Sequence, residues 1–271
     1  MSNAPQSAPA GPVVLEGRHE GIATLVMNRP DRLNALNNEL GVALDEALGR
    51  IAKDDSIRVV VITGAGRAFC AGGDLAALGK GRQTGATKEL EPLLRAGMQL
   101  VLKMRTMPQP VIAAVNGAAA GAGMNIALAA DIRIAAEEAT FGQNFAKVGL
   151  FPDFGGTYFL AQLAGVSKAA ELFYTGDMID AKSALAFGIV NQVVPSAQLE
   201  AEVKTLAEKI ARGPSLAIHA VKRALFASEE KELSQALESE VQEQIRCYLS
   251  EDCHEGIRAF FERRPPKFQG N

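Results

Sequence analysis

VVVITGAGRAFCAGGDL (residues 59–75) and PVIAAVNGAAAGAGMN (residues 110–125) share one plan. Each opens on an unbroken run of β-branched or small apolar residues, which reads as a strand covered on both faces. Each run then breaks into a glycine-rich turn. The adjacent glycines Gly72 and Gly73 let backbone N–H groups face outward toward a ligand. The second turn, Asn116 to Met124, opens a helix whose first N–H groups and positive dipole end are free. Two such turns on successive buried strands can aim one N–H each at a single oxygen, the arrangement that stabilises a developing oxyanion. Each turn also has a structural alternative: a strand-to-helix turn capped by Asp74, and close helix packing against small residues.

The rest of the chain alternates in the same way. VVLEG and IATLVMNRP read as strands, and Asn38–Ile51 as a helix with Leu40, Leu44, Leu48 and Ile51 on one side. A helix is expected from about Lys88 to Thr106, another from the second turn to Ala130, strand over DIRIAAEEATF, helices broken by glycine from Gly155 to Leu185, and a last strand at IVNQVV. Beyond Ser196 only helices are expected: Leu199–Arg212, Ser215–Ala227, Lys231–Leu249 and a short one near Glu255–Glu262. The expected organisation is a flexible arm (1–12), an α/β core (13–196) and a helical C-terminal region (197–271). The mixed segment 76–87 is expected to be a mobile part of the pocket wall.

Composition narrows the function. The chain has 271 residues, 48% hydrophobic and 22% charged, with net charge −3, so it can fold a full core without staples. Three cysteines (Cys70, Cys247, Cys253) are too few and odd in number for a disulfide scaffold and suit a reducing, cytoplasmic compartment. With three scattered histidines (His19, His219, His254) they offer no metal spacing. The mild acidity argues against a nucleic-acid surface. The uncharged stretch between Arg105 and Asp131 holds Asn116 and Asn125 and is weakly apolar, so it reads as a buried soluble element rather than a membrane span.

Two further motifs bear on chemistry. Gly64-Ala65-Gly66 after a strand looks like the start of a dinucleotide fingerprint, but Phe69 replaces its third glycine. GLFPDFGGT (149–157) sets Asp153 between Phe151 and Phe154. Desolvation there raises a carboxyl pKa toward a value useful for proton transfer. The alternative is an N-cap for the helix that follows.

Taken together, NRPDRLNAL (28–36), the two glycine-rich segments above and FGQNFAKVGLFPDFGGT (141–157) resemble the crotonase superfamily, the enoyl-CoA hydratase/isomerase family, in order and spacing. The resemblance runs from about Val13 to the C-terminus. It implies a spiral of ββα units, C-terminal helices that make homotrimers or dimers of trimers, and an acyl-CoA thioester as substrate with no metal or other cofactor. It also implies that the oxyanion donors are the N–H groups of Gly73 and Ala122, and that Asp153 is the catalytic acid/base. The acyl-CoA would lie along Arg32, Leu33, Ala35, Arg67, Ala71, Gly72, Asp74, Leu75, Ala118, Gly121, Asn125, Phe145 and Pro152, with Lys267 and Phe268 of the tail reaching coenzyme A.

Asn125 and Phe145 stand where hydratases of the family carry their two glutamates, and neither can act as a base. The resemblance around Asp153 is nearest to the ring-epoxide isomerase of phenylacetate degradation. The expected reaction is therefore isomerisation through an enolate with one carboxylate. A hydratase with an unusual base remains the alternative, followed by a non-catalytic coenzyme A- or RNA-binding relative.

Overall fold

The structure, a computed structural model, describes residues 11–83, 87–226 and 230–267. The ten strands found there are β1 (Val14–His19), β2 (Ile22–Met27), β3 (Val59–Gly64), β4 (Ala68–Cys70), β5 (Val111–Val115), β6 (Ala118–Ala120), β7 (Ile132–Ala136), β8 (Thr140–Gly142), β9 (Met178–Asp180) and β10 (Gln192–Val194). They make two sheets. The larger runs β1-β2-β3-β5-β7-β10, and the smaller β4-β6-β8-β9. Pairing is parallel except at β1–β2 and β8–β9.

The connectivity is a spiral. Each pair β3/β4, β5/β6 and β7/β8 places its first strand in the large sheet and its second in the small one. Helices close the turns: α1 (Asn38–Ile51), α2 (Leu75–Gln83), α3 (Thr87–Thr106), α4 (Ala122–Ala129), α5 (Gly156–Ala164), α6 (Val166–Thr175) and α7 (Ala181–Ala186). The C-terminal part is helical: α8 (Leu199–Ala211), α9 (Ser215–Phe226), α10 (Glu230–Tyr248) and α11 (Glu251–Glu262).

The expected double burial of the central strands is present. Val60 and Ile62 of β3 enter the main core beside Val111, Ala113 and Leu100. Val59 and Val61 face the other way, onto Val203 and Ala207 of α8. An alternating strand flanked by apolar layers has no solvent face, which is why its sequence does not alternate. Helix α1 begins where Asn37 accepts the Leu40 N–H at 3.0 Å on its side chain, a cap that satisfies one free donor.

Several local expectations need correcting. The segment after Leu75, whose conformation the sequence leaves open, forms α2, started by Asp74, whose carboxylate accepts the Ala77 N–H at 3.3 Å; residues 84–86 lie outside the described residues. Helix α11 starts four residues earlier than expected, at Glu251, because Ser250 accepts the Cys253 N–H at 3.0 Å. Of the expected arm, residues 1–10 lie outside the described residues, and the Pro12 carbonyl accepts from the Asn28 amide.

Candidate active site

Three polar side chains build the walls from behind. Buried Asn34 donates to the carbonyls of Ala65 and Ala68 (2.9 and 2.8 Å) and accepts the Arg29 N–H. Asn116 accepts the Gly64 N–H and donates to the carbonyls of Gly64 and Gly66. Arg29 pairs with Asp74 at 3.1 Å and donates to the Ala35 carbonyl. These bonds bind the 28–36 segment and both glycine-rich turns into one frame, with buried polar groups satisfied rather than stranded.

The turns also touch. Gly72 has φ +94°, and a β-carbon there would stand 2.8 Å from the Ala120 carbonyl oxygen and 3.7 Å from the Ala122 amide nitrogen. Only glycine allows that approach. Leu36 donates to the Gly72 carbonyl and accepts from the Asp74 N–H, forming a parallel bridge opposite Gly73. That bonding leaves the Gly73 N–H facing away from Leu36. Ala122 is the first residue of α4, so its N–H has no helical acceptor. Among the described residues neither N–H donates to any protein group.

Both residues line one cavity of about 1080 Å³. Of the expected positions, Arg32, Leu33, Ala35, Arg67, Ala71, Gly72, Asp74, Leu75, Gly121, Phe145 and Asp153 line it too. Four do not. Ala118 sits in β6 between β4 and β8, outside the lining. Pro152 is turned off the cavity beside Asp153. The Lys267 side chain is exposed, while its N–H is held by Glu255 at 2.9 Å. Asn125 is fully buried behind the wall, where it donates to the Asp153 carbonyl at 2.7 Å and accepts from Gln143 at 2.6 Å. Phe268 lies outside the described residues.

Among the described residues that line this cavity, Asp153 is the one buried carboxylate, only 9% exposed. Its Oδ2 accepts from Gln244 Nε2 at 3.0 Å, and its Oδ1 is screened from solvent with no partner from another described residue. Burial pushes its pKa up to about 7; Glu240 adds to the rise and the Gln244 bond opposes it. The carboxylate does not cap α5, whose N-cap is Gly155. The Phe154 ring packs toward Gly97 of α3. Sequence reasoning missed Glu240, Gln244 and Tyr248, all buried on α10. Their period of four along a helix was a visible signal; their tie to a turn some ninety positions earlier was not.

A model of the enoyl-CoA hydratase/isomerase family matches residues 17–271. The chain belongs to that family. It is 42% identical over 254 residues to a probable enoyl-CoA hydratase of Rhodobacter capsulatus, covering 93% of this chain and 95% of the relative. It is 39% identical over 261 residues to the 1,2-epoxyphenylacetyl-CoA isomerase of Escherichia coli, covering 95% and 98%. Among solved structures it resembles an enoyl-CoA hydratase of Mycobacterium avium subsp. paratuberculosis, with TM-score 0.86, 33% identity, and 95% and 98% of the chains covered. The two-sheet spiral is thus the crotonase fold, and this member of the enoyl-CoA hydratase/isomerase family is an acyl-CoA enzyme.

Proposed function

We propose that the enzyme is an isomerase that moves a double bond or remodels a ring in an acyl-CoA. In this reading the thioester oxygen accepts from the N–H groups of Gly73 and Ala122, which lowers the cost of the enolate formed when an α or γ proton leaves. The proton goes to Asp153, which returns it at another carbon. Arg32 and Arg67 at the cavity wall meet the coenzyme A phosphates. The observation that carries the reading is a lone buried carboxyl, with one oxygen unpartnered, sharing a cavity with two undonated amides.

Apolar Phe145 on the same wall supports isomerisation over hydration, because a single carboxylate in an apolar setting has no partner with which to hold a water. The hydratase reading rests on the names of the Rhodobacter relative and of the Mycobacterium structure. We further propose a cytoplasmic homotrimer or dimer of trimers, with no cofactor beyond the coenzyme A of the substrate.

A panel of conjugated, β,γ-unsaturated and ring acyl-CoAs tests the assignment. Conversion of a β,γ-unsaturated or ring substrate to an isomer of equal mass is expected. Rapid loss of the conjugated thioester absorbance of crotonyl-CoA, with a gain of one water, would replace isomerase by hydratase.

A further inference from the structure

The turn that carries Asp153 hangs from α10. Glu240, Gln244 and Tyr248 recur every four residues, so they share one face of that helix with buried Leu237 and Val241. Two buried polar side chains on an otherwise apolar face call for a reason. Glu240 accepts the Gly155 N–H at 2.8 Å and the Thr157 hydroxyl at 2.6 Å. Gln244 accepts the Phe151 N–H at 3.1 Å on its carbonyl and donates to Asp153 Oδ2 at 3.0 Å. Thus Gln244 grips the backbone before the carboxylate and one of its oxygens at once.

We propose that Gln244 is a positioning residue for the reaction: by gripping the Phe151 N–H and Asp153 Oδ2 at once it fixes the plane of the carboxylate that takes the substrate proton. This rests on Asp153 being the base. Both grips come from one buried side chain, so the carboxylate cannot turn about its Cβ–Cγ bond without losing the Oδ2 hydrogen bond. A donor to a carboxylate also favours its ionised form, and a base must start ionised. Gln244 therefore opposes the burial that would otherwise keep Asp153 protonated. Glu240 of α10, whose own carboxyl is pushed up to about 7 by burial, acts in the opposite sense when ionised; Asn125 of α4 and Gln244 are neutral.

The test replaces Gln244 by Met, similar in size but unable to donate. The midpoint of the Asp153 carboxyl is read by ¹³C NMR of protein labelled at the aspartate carboxyl, with Asp153→Asn identifying the signal; this needs no substrate. In Gln244→Met the midpoint is expected to rise by about one unit, since a hydrogen bond to a charged group is lost. The acid limb of kcat/KM should move with it. At pH 7, kcat should fall roughly 10-fold or more while KM stays within about 3-fold. Glu240→Gln should move the midpoint down.

If Gln244→Met does not fold, Gln244→Glu, which keeps the length and replaces the donor by a second acid, is expected to raise the midpoint as well. A folded variant with an unmoved Asp153 midpoint, or one that changes KM and spares kcat, overturns the proposal. A shifted midpoint in an enzyme that isomerises no acyl-CoA would sink the isomerase assignment while leaving the grip of Gln244 on Asp153 standing.

Discussion

Asp153 carries its charge at a cost to the fold, and that cost has a measurable sign. Its pKa stands near 7 in the folded chain, against 3.8 for the free side chain. Between those values the folded state holds a proton that the unfolded state has lost, so stability falls as pH rises through the window. Asp153→Asn removes this penalty. The variant is expected to lose kcat by roughly 10²–10⁴, yet to unfold at a higher temperature than the parent at pH 8, with the difference vanishing near pH 4. Calorimetry at the two pH values checks it; a variant less stable at pH 8 would show that the carboxylate stabilises the fold. Asn125, behind the wall, calls for a different expectation. Asn125→Ala strands the Asp153 carbonyl and the Gln143 amide, so it should cost about 2 kcal/mol in urea unfolding, with a kcat loss well short of that of Asp153→Asn. Equal losses would make Asn125 a direct participant. Asp153 was legible in sequence because two phenylalanines flank it. The role of Asn125 was not, because sequence distance gives no direction: its side chain points to the back of the Asp153 turn instead of toward the cavity.

At the scale of elements, long periodic segments were readable and three-residue strands were not. Helix α1 is expected over the residues it occupies, because four apolar side chains recur on one face. The small sheet escaped notice because Ala68–Cys70 and Ala118–Ala120 are too short to show a period and read as parts of glycine-rich turns, while Thr140–Gly142 reads as the end of a single strand over 131–141. Helix α2 was missed because Gly79 and Gly81 weaken its helical signal. The placement of α9 was also out of reach, since it depends on one buried cation. Lys222 donates to the carbonyls of Met104 and Gln109 and to Asp131 Oδ2, at 2.8, 2.9 and 2.8 Å. This ties α9 to the end of α3 and to the turn before β7. Lys222→Met leaves Asp131 buried without that partner and should cost about 3–5 kcal/mol in urea unfolding. A cost under about 1 kcal/mol would mean that apolar packing alone seats α9.

For the whole molecule, the question is what covers its outer apolar side chains. Val221 and Leu225 lie four apart on α9, 57% and 61% exposed, while Lys222 beside them points inward. Tyr174 of α6 is 81% exposed. Large apolar groups scattered singly are ordinary, but an exposed i,i+4 apolar pair on a docked helix is a candidate contact between subunits. If the trimer expected from the family resemblance uses this face, sedimentation velocity should give three or six times the chain mass, and Val221→Glu with Leu225→Glu should shift it toward one. The circular dichroism of that variant should match the parent, because both side chains already face outward and their replacement disturbs no interior contact. A parent that sediments as a single chain removes the trimer. A variant that stays assembled moves the contact off α9, with Tyr174 of α6 the next position to charge.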